Sequence, residues 1–416
     1  MKGSADIRGA TIALTLVAAV LATPATADGL RLRTELGGNG AWAAPTSLDT
    51  ALGYATRQTT TANLRLMYDR QAGDFRVQLH ANINGAQGGD VGYLAAVSPF
   101  LPAQPPSTLF DMEQTWLSGG NRLLTGRVER LSVTYTTPNL VLKLGRQAIT
   151  WGSGMVFHPT DIVAPFAPNA IDKSYKPGAD MVYAQYLFDN GADIQAIAVP
   201  RGLTLGGPVA FSNSTYALRG KMSAGSLDLA AMFARDRGDS VAGAGLSGAL
   251  GGASWNTEYV LWKLANGATY PSWVANISNF STLAGRNVSW FAEVYHNGFG
   301  VNSGVPYAGL PADLVKRMST GQIFVAGRDF LALGGRVELN PDMSASTTSL
   351  FSLNDGSAFS TLSVNYSLSD NANVVLSYSQ PFGAQGTEFG GRETATGSGV
   401  YMRLPKTLSL SFVRYF

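Results

Sequence analysis

One stretch of the chain gathers most of the side chains that chemistry requires. Between Gly145 and Asp180 lie Arg146, Trp151, Asp161, Asp172, Lys173, Lys176 and Asp180. They are separated by Gly152, Gly154, Pro159, Pro165, Pro168, Pro177 and Gly178. Proline fixes φ and removes a donor, and glycine reaches dihedrals closed to other residues, so this is a shaped loop rather than a slack one. Its charges are mixed in sign, which allows Arg146, Asp161, Asp172, Lys173, Lys176 and Asp180 to pair among themselves. The function open to such a loop is electrostatic and steric, either as a constriction folded into a cavity or as a cap on its rim.

Other chemistry is poorly supported. His80, His158 and His296 are too dispersed for a metal site, and no close His–Ser–acid grouping stands out. Gly243-Ala244-Gly245-Leu246-Ser247-Gly248 matches G-x-G-x-x-G, but the surrounding pattern is strand and turn, whereas a dinucleotide site needs a helix to follow. Zero Cys removes thiolate ligands, disulfides and cysteine nucleophiles together. A net charge of +2 gives no basic excess for nucleic acid. No cofactor is implied, and the chain does not read as an enzyme.

The elements that must position the loop are strands. Charged residues are only 14% of the chain and Gly is 48 of 416 residues, where soluble domains carry about 25% charge and about 7% Gly. Phe75, Val77, Leu79, Ala81 and Ile83 alternate with Arg76, Gln78, His80 and Asn82. Leu362, Val364, Tyr366 and Leu368 alternate with Thr361, Ser363, Asn365 and Ser367, and Leu408, Leu410 and Phe412 with Ser409 and Ser411. Each segment is about ten residues long, the length of a tilted strand crossing a bilayer. The apolar faces are almost free of charge and the others polar throughout, the pattern of a transmembrane barrel that is apolar outside and polar inside.

Alternation yields eighteen candidate strands, with sixteen as the runner-up because 29–37 and 241–250 are weakly patterned. Every long connection (38–59, 85–126, 150–179, 201–213, 298–327 and 382–406) falls at one end, as bacterial barrels require. Within 298–327, Pro311–Met318 reads as a short helix decorating the rim. The polar faces place Arg65, Arg76, Arg130, Lys143, Arg219, Lys221 and Arg336 on the lumen side, against Asp228, Glu258, Glu293 and Glu338. Arg146 falls on the apolar face of its strand, which implies a bulge or strand end there.

Residues 1–27 have the layout of a secretory signal peptide. Lys2 and Arg8 are basic, Ala10–Ala22 is largely apolar and Ala25-Thr26-Ala27 offers a cleavage site. Residues 28–416 form the barrel. The chain closes on Leu408, Leu410, Phe412 and Phe416 along one face. This resembles the terminal strand of Gram-negative outer-membrane barrels, whose last aromatic is read by the assembly machinery; Arg414 departs from the usual apolar choice.

The Gly145–Asp180 segment, together with Leu353–Ser357, Leu368–Asn371 and Glu388–Gly390, resembles a large group of proteobacterial porin-like outer-membrane proteins, mostly without assigned substrates. The resemblance implies a β-barrel channel and carries over no binding residues. The expectation is an all-β, up-and-down transmembrane barrel in the outer membrane. It would pass small hydrophilic solutes passively, with weak anion preference. Its partners would be membrane lipid and the assembly machinery, with a homo-oligomer left open. The rivals are a barrel hydrolase acting on lipid or surface polymer, and a non-conducting barrel that anchors a partner.

Overall fold

The structure is a computed structural model that describes residues 29–168 and 175–416. The leader and two members of the charged loop, Asp172 and Lys173, lie outside the described residues. Eighteen strands close into one antiparallel barrel. Numbering these alone, they are β1 Leu30–Trp42, β2 Thr56–Ala72, β3 Phe75–Gly88, β4 Arg122–Thr136, β5 Leu140–Gln147 and β6 Ala179–Leu187. There follow β7 Asp193–Val199, β8 Thr215–Ala224, β9 Leu227–Asp236, β10 Asp239–Leu250, β11 Ala253–Lys263 and β12 Thr269–Leu283. The last six are β13 Arg286–His296, β14 Asp329–Asn340, β15 Met343–Ser352, β16 Ala358–Ser369, β17 Ala372–Phe382 and β18 Lys406–Tyr415. The two weakly patterned segments are thus the full strands β1 and β10.

Each strand pairs with the next, and β1 closes on β18 from Arg33 opposite Tyr415 to Trp42 opposite Lys406. Closure leaves no edge, so every backbone donor in the wall has a partner strand. Short turns such as Gly73-Asp74, Gly251-Gly252 and Asp370-Asn371 join strands at one end, and the long connections all lie at the other. Period two sends alternate side chains outward. Leu79 (42% exposed), Leu144 (63%), Phe233 (68%) and Leu410 (53%) belong to that outward belt. Apolar side chains left this bare around a closed barrel are solvated by hydrocarbon, so the wall spans a membrane.

The inner face is not polar throughout, which corrects the simple expectation. Ile197, Val199, Ala217, Met232, Val241, Val260 and Trp262 on β7–β11 are buried in one apolar cluster with Trp151, Ile162, Phe299, Leu310, Leu314 and Ile323 from the long connections. A second cluster joins Val274, Tyr295, Phe330, Ala332, Leu350 and Phe359 of β12–β16 to Val156, Phe157, Val325 and Phe389. The physical reason lies in the strands. Ala196-Ile197-Ala198-Val199 and Tyr259-Val260-Leu261-Trp262 are continuous apolar runs, the mark of a strand buried on both faces.

Two further expectations change. The helix Ala312–Ser319 is no rim decoration: Leu314 and Arg317, one turn apart on the same face, are 0% and 1% exposed. The amphipathic helix buries that stripe against the inner wall. The 85–126 connection is not all loop, since it holds the helix Gly89–Val97 and the strand Glu113–Gly119. That strand pairs with β4 from Glu113 opposite Arg127 to Gly119 opposite Arg122, beyond the point where β5 ends.

Candidate functional site

The candidate site is the interior of the barrel, and strand register assigns its walls. Arg33 lies opposite Arg65, Arg65 opposite Asn82, and Asn82 opposite Arg127. His80 lies opposite Arg130, and Arg76 and Lys143 both lie opposite Thr134. These residues share the inner face of β1–β5. The register slips between His80 and Ala81, leaving Glu129 as the extra residue of a bulge. Strict alternation counted from Arg130 therefore misses Arg127; the bulge is invisible to a period-two reading. Arg219, Lys221, Asp228, Glu258, Glu293, Arg336 and Glu338 take inner-face positions on β8–β14.

Two cations of this wall and His80 surround one phenol. Tyr175 has the Arg65 guanidinium 3.9 Å and that of Arg130 4.6 Å from its ring centre. Its hydroxyl lies 2.7 Å from His80 Nδ1. Burial pushes the Tyr175 phenol up to about 12, so it remains a neutral hydroxyl. Arg65 is bridged to Glu129 at 2.8 Å.

The 148–168 segment packs against the opposite wall and is fastened there by two buried carboxylates. Glu293 accepts from the amides of Met155 (2.6 Å), Val156 (3.1 Å) and Phe157 (2.8 Å), and from Asn276 Nδ2 (3.0 Å). Glu258 accepts from the Ser153 amide and hydroxyl and from the Thr160 amide and hydroxyl. Trp151 donates its indole N–H to Gln195 Oε1 at 2.8 Å. Gly154 is required in this turn, since a Cβ there would sit 1.8 Å from the Phe157 carbonyl oxygen. Glu258 is thus spent on the loop instead of facing an open passage.

The expected six-member charge network divides. Arg146 and Asp180 form a bidentate pair at 2.8 and 2.9 Å where β5 and β6 end. Asp180 also accepts from the amides of Leu109 and Phe110, and Arg146 donates to the carbonyls of Phe110 and Val128. This pair seals the seam between the wall and the 108–113 segment. Gly145, at φ 116°, is the irregularity that the position of Arg146 implied. Lys176 pairs separately with Asp161 and donates to the Ile149 carbonyl. The helix Ala312–Ser319 has its own anchors, with Arg317 bonded to Asp236 and Asp239 and lying 4.0 Å from the Trp262 ring centre.

The remaining wall carries hydroxyls. Ser346, Thr361, Ser363, Ser409 and Ser411 are half-buried on the inner face of β15–β18, linked in part by Thr361–Ser379 (2.9 Å) and Ser363–Ser377 (2.8 Å). A cavity of about 330 Å³ opens beside the fastened loop, bordered by Thr150, Ser153, Asp193, Arg219, Lys221 and Asp228. Among the described residues neither Arg219 nor Lys221 makes an ion pair; Arg219 lies 5.9 Å from the Trp151 ring centre, and Asp193 and Asp228, whose carboxylates bond only to Gln195 and Ser223, border the same cavity. No group of three or more His, Asp or Glu among the described residues could hold a metal.

Fold and belt define the class: a closed eighteen-stranded antiparallel transmembrane β-barrel, the architecture of bacterial outer-membrane proteins. OccAB2 of Acinetobacter baumannii superposes with a TM-score of 0.52 at 11% identity, covering 93% of this chain and 97% of that one. Wzi of Escherichia coli, an outer-membrane carbohydrate-binding β-barrel involved in group 1 capsule assembly, gives 0.52 at 12% identity over 98% and 88%. OccK11 (OpdR) of Pseudomonas aeruginosa gives 0.50 at 12% over 93% and 96%. These likenesses are of fold. No protein-family model matches the chain, and no curated protein matches it.

Proposed function

We propose that the protein is a passive outer-membrane channel for small hydrophilic solutes, weakly selective for anions, in which the 148–168 segment narrows the pore. The observation that carries the reading is how the interior charges are used. The acids Glu258 and Glu293 are consumed in fastening the loop, whereas Arg219 and Lys221 make no ion pair. On the opposite wall Arg33, Arg65 and Arg76 are paired with Glu35, Glu129 and Asp69, which leaves Arg127, Arg130 and Lys143 without a carboxylate partner among the described residues. Lining charge sets the sign of the permeating ion, and arginine keeps its charge at any working pH. The resemblance in fold to outer-membrane channels supports the same reading. Residues 1–27 would direct export, and Phe416 would present the assembly signal.

Single-channel recording in planar bilayers tests this. The expected outcome is a discrete conductance with a reversal potential, across a salt gradient, on the anion side. Neutralising Arg76, Arg219 and Lys221 together should move it toward cations. A cation-selective wild type would refute the selectivity. The apolar filling behind β7–β14 favours one alternative, a closed barrel that anchors a partner, and a correctly inserted protein without conductance would decide for it.

A further inference from the structure

We infer that the outward face of β9–β11 is a binding site for one phosphate-bearing lipid of the outer leaflet, with Arg235 and Lys263 holding the phosphate and a groove over β10 holding an acyl chain. Arg235 pairs in register with Ser240, and Ser240 with Lys263. The two cations therefore stand on either side of one residue, on one face, at the long-loop ends of their strands. Adjacent strands are about 4.8 Å apart, so the two side chains can close on a single phosphate. Both residues are exposed; Arg235 makes one hydrogen bond, to Ser240 Oγ at 3.0 Å, and neither makes an ion pair among the described residues.

The surrounding charge is one-sided. The acids of β8–β12 (Asp228, Asp236, Asp239 and Glu258) all occupy inner-face positions. Arg235 and Lys263 are thus left on the lipid face of these strands with no carboxylate to neutralise them. Below them the surface changes to hydrocarbon. Phe233 lies opposite Ala242 and Ala242 opposite Leu261; one step deeper, Ala244 lies opposite Tyr259. Phe233, Leu261 and Tyr259 are 68%, 37% and 46% exposed. Phe233 and Leu261 flank Ala242, and deeper Tyr259 stands beside the paired alanines Ala244 and Ala231, so a furrow runs along β10 and opens toward β9. It continues the membrane-facing belt, so its occupant is membrane lipid, and the cations above it select an anionic headgroup.

The test uses the delipidated barrel in detergent, titrated with bis-phosphorylated lipid A and read by native mass spectrometry. One lipid should stay bound to the wild type. Arg235→Gln with Lys263→Gln should weaken retention about tenfold, from the loss of two headgroup contacts. Arg235→Lys with Lys263→Arg should restore it, and Lys406→Gln, at an outward cation on β18 remote from β9–β11, should leave it unchanged. Ala242→Phe, which fills the furrow and spares both cations, should also weaken it. Equal retention by the double glutamine variant would overturn the inference. So would full displacement by excess inorganic phosphate, which would mark a free-anion site, or a dimer of barrels forming in place of the lipid complex.

Discussion

The inner faces of β7–β14 and of β15–β18 are built from the same kind of strand, yet the first is covered by chain and the second is covered only near its long-loop end, where Leu350 and Phe359 meet Phe389. On β7–β14 the long-loop ends carry Val199, Val260, Val274 and Phe330, each 0% exposed. On β15 and β16 the long-loop ends still carry the buried Leu350 and Phe359, and deeper along β15–β18 the same face holds half-buried Ser346, Thr361, Ser363, Ser409 and Ser411. A side chain of Ser size finds hydrogen bonds with its neighbour and gains little from a cover. An apolar one gains roughly 25 cal/mol for each Å² removed from water, and so recruits the connections that can cover it. The barrel wall thus sorts its own loops: inner-face composition, not loop length alone, decides which connection comes inside.

The largest effect separating the two regions should be on stability. Phe330→Ala removes a ring packed 5.7 Å from Phe157 and 6.2 Å from Phe389, and should cost about 3–5 kcal/mol in urea unfolding of the inserted barrel. Ser363→Ala on the hydroxyl wall should change the same measurement by less than about 0.5 kcal/mol. Equal losses would erase the distinction.

A smaller effect should come from releasing the loop. Glu293→Ala leaves the amides of Met155, Val156 and Phe157 without their acceptor, at about 1–3 kcal/mol, and should raise single-channel conductance. An unchanged conductance in a folded barrel would place the loop clear of the solute path. Smaller still in stability terms is Ser363→Leu. It should stay within about 1 kcal/mol of wild type, because Ser363 is only half-buried, yet lower the conductance. A conductance equal to wild type would move the passage away from β15–β18.

The smallest effect is on pH dependence at the mouth. Burial alone would raise the Asp355 carboxyl, but the Ser357 hydroxyl and the amides of Glu388 and Ser357 outweigh it and hold the group below its usual value. A depressed carboxylate contributes stability above its unfolded pKa of about 3.9 and loses it as pH falls through the lower folded value. Acidification below about pH 4 should therefore loosen the Glu388–Phe389 segment, seen as earlier proteolysis there. Asp355→Asn should be loosened already at neutral pH and show no such acid step.

Strand number, closure and the end at which long connections lie were all legible, because period two and turn residues are local signals. The inner-face positions of Arg65, Arg130, Lys143, Arg219 and Lys221 followed from the same period. What alternation hides is any place where it breaks. The bulge at Glu129 moved Arg127 inward, and the apolar run Tyr259–Trp262 turned an expected polar face into core. The second was written in the sequence as a loss of alternation, and it pointed to a cover. The burial of the helix Ala312–Ser319 was carried by Leu314 and Arg317 at one-turn spacing. Its anchors Asp236 and Asp239 lie far back in the chain, and such pairing across many strands leaves no local trace.

The two carboxylates that fasten the loop also impose an order of events on assembly. Ser153 and Glu258 are 105 residues apart, and Met155 and Glu293 are 138 apart. The loop leaves β5 long before β11 and β13 exist to receive it, and contacts so distant in sequence form late because their loop-closure entropy must first be met by strand pairing. The wall is therefore completed around an unfilled bore, and the filling is the last part of the molecule to become native.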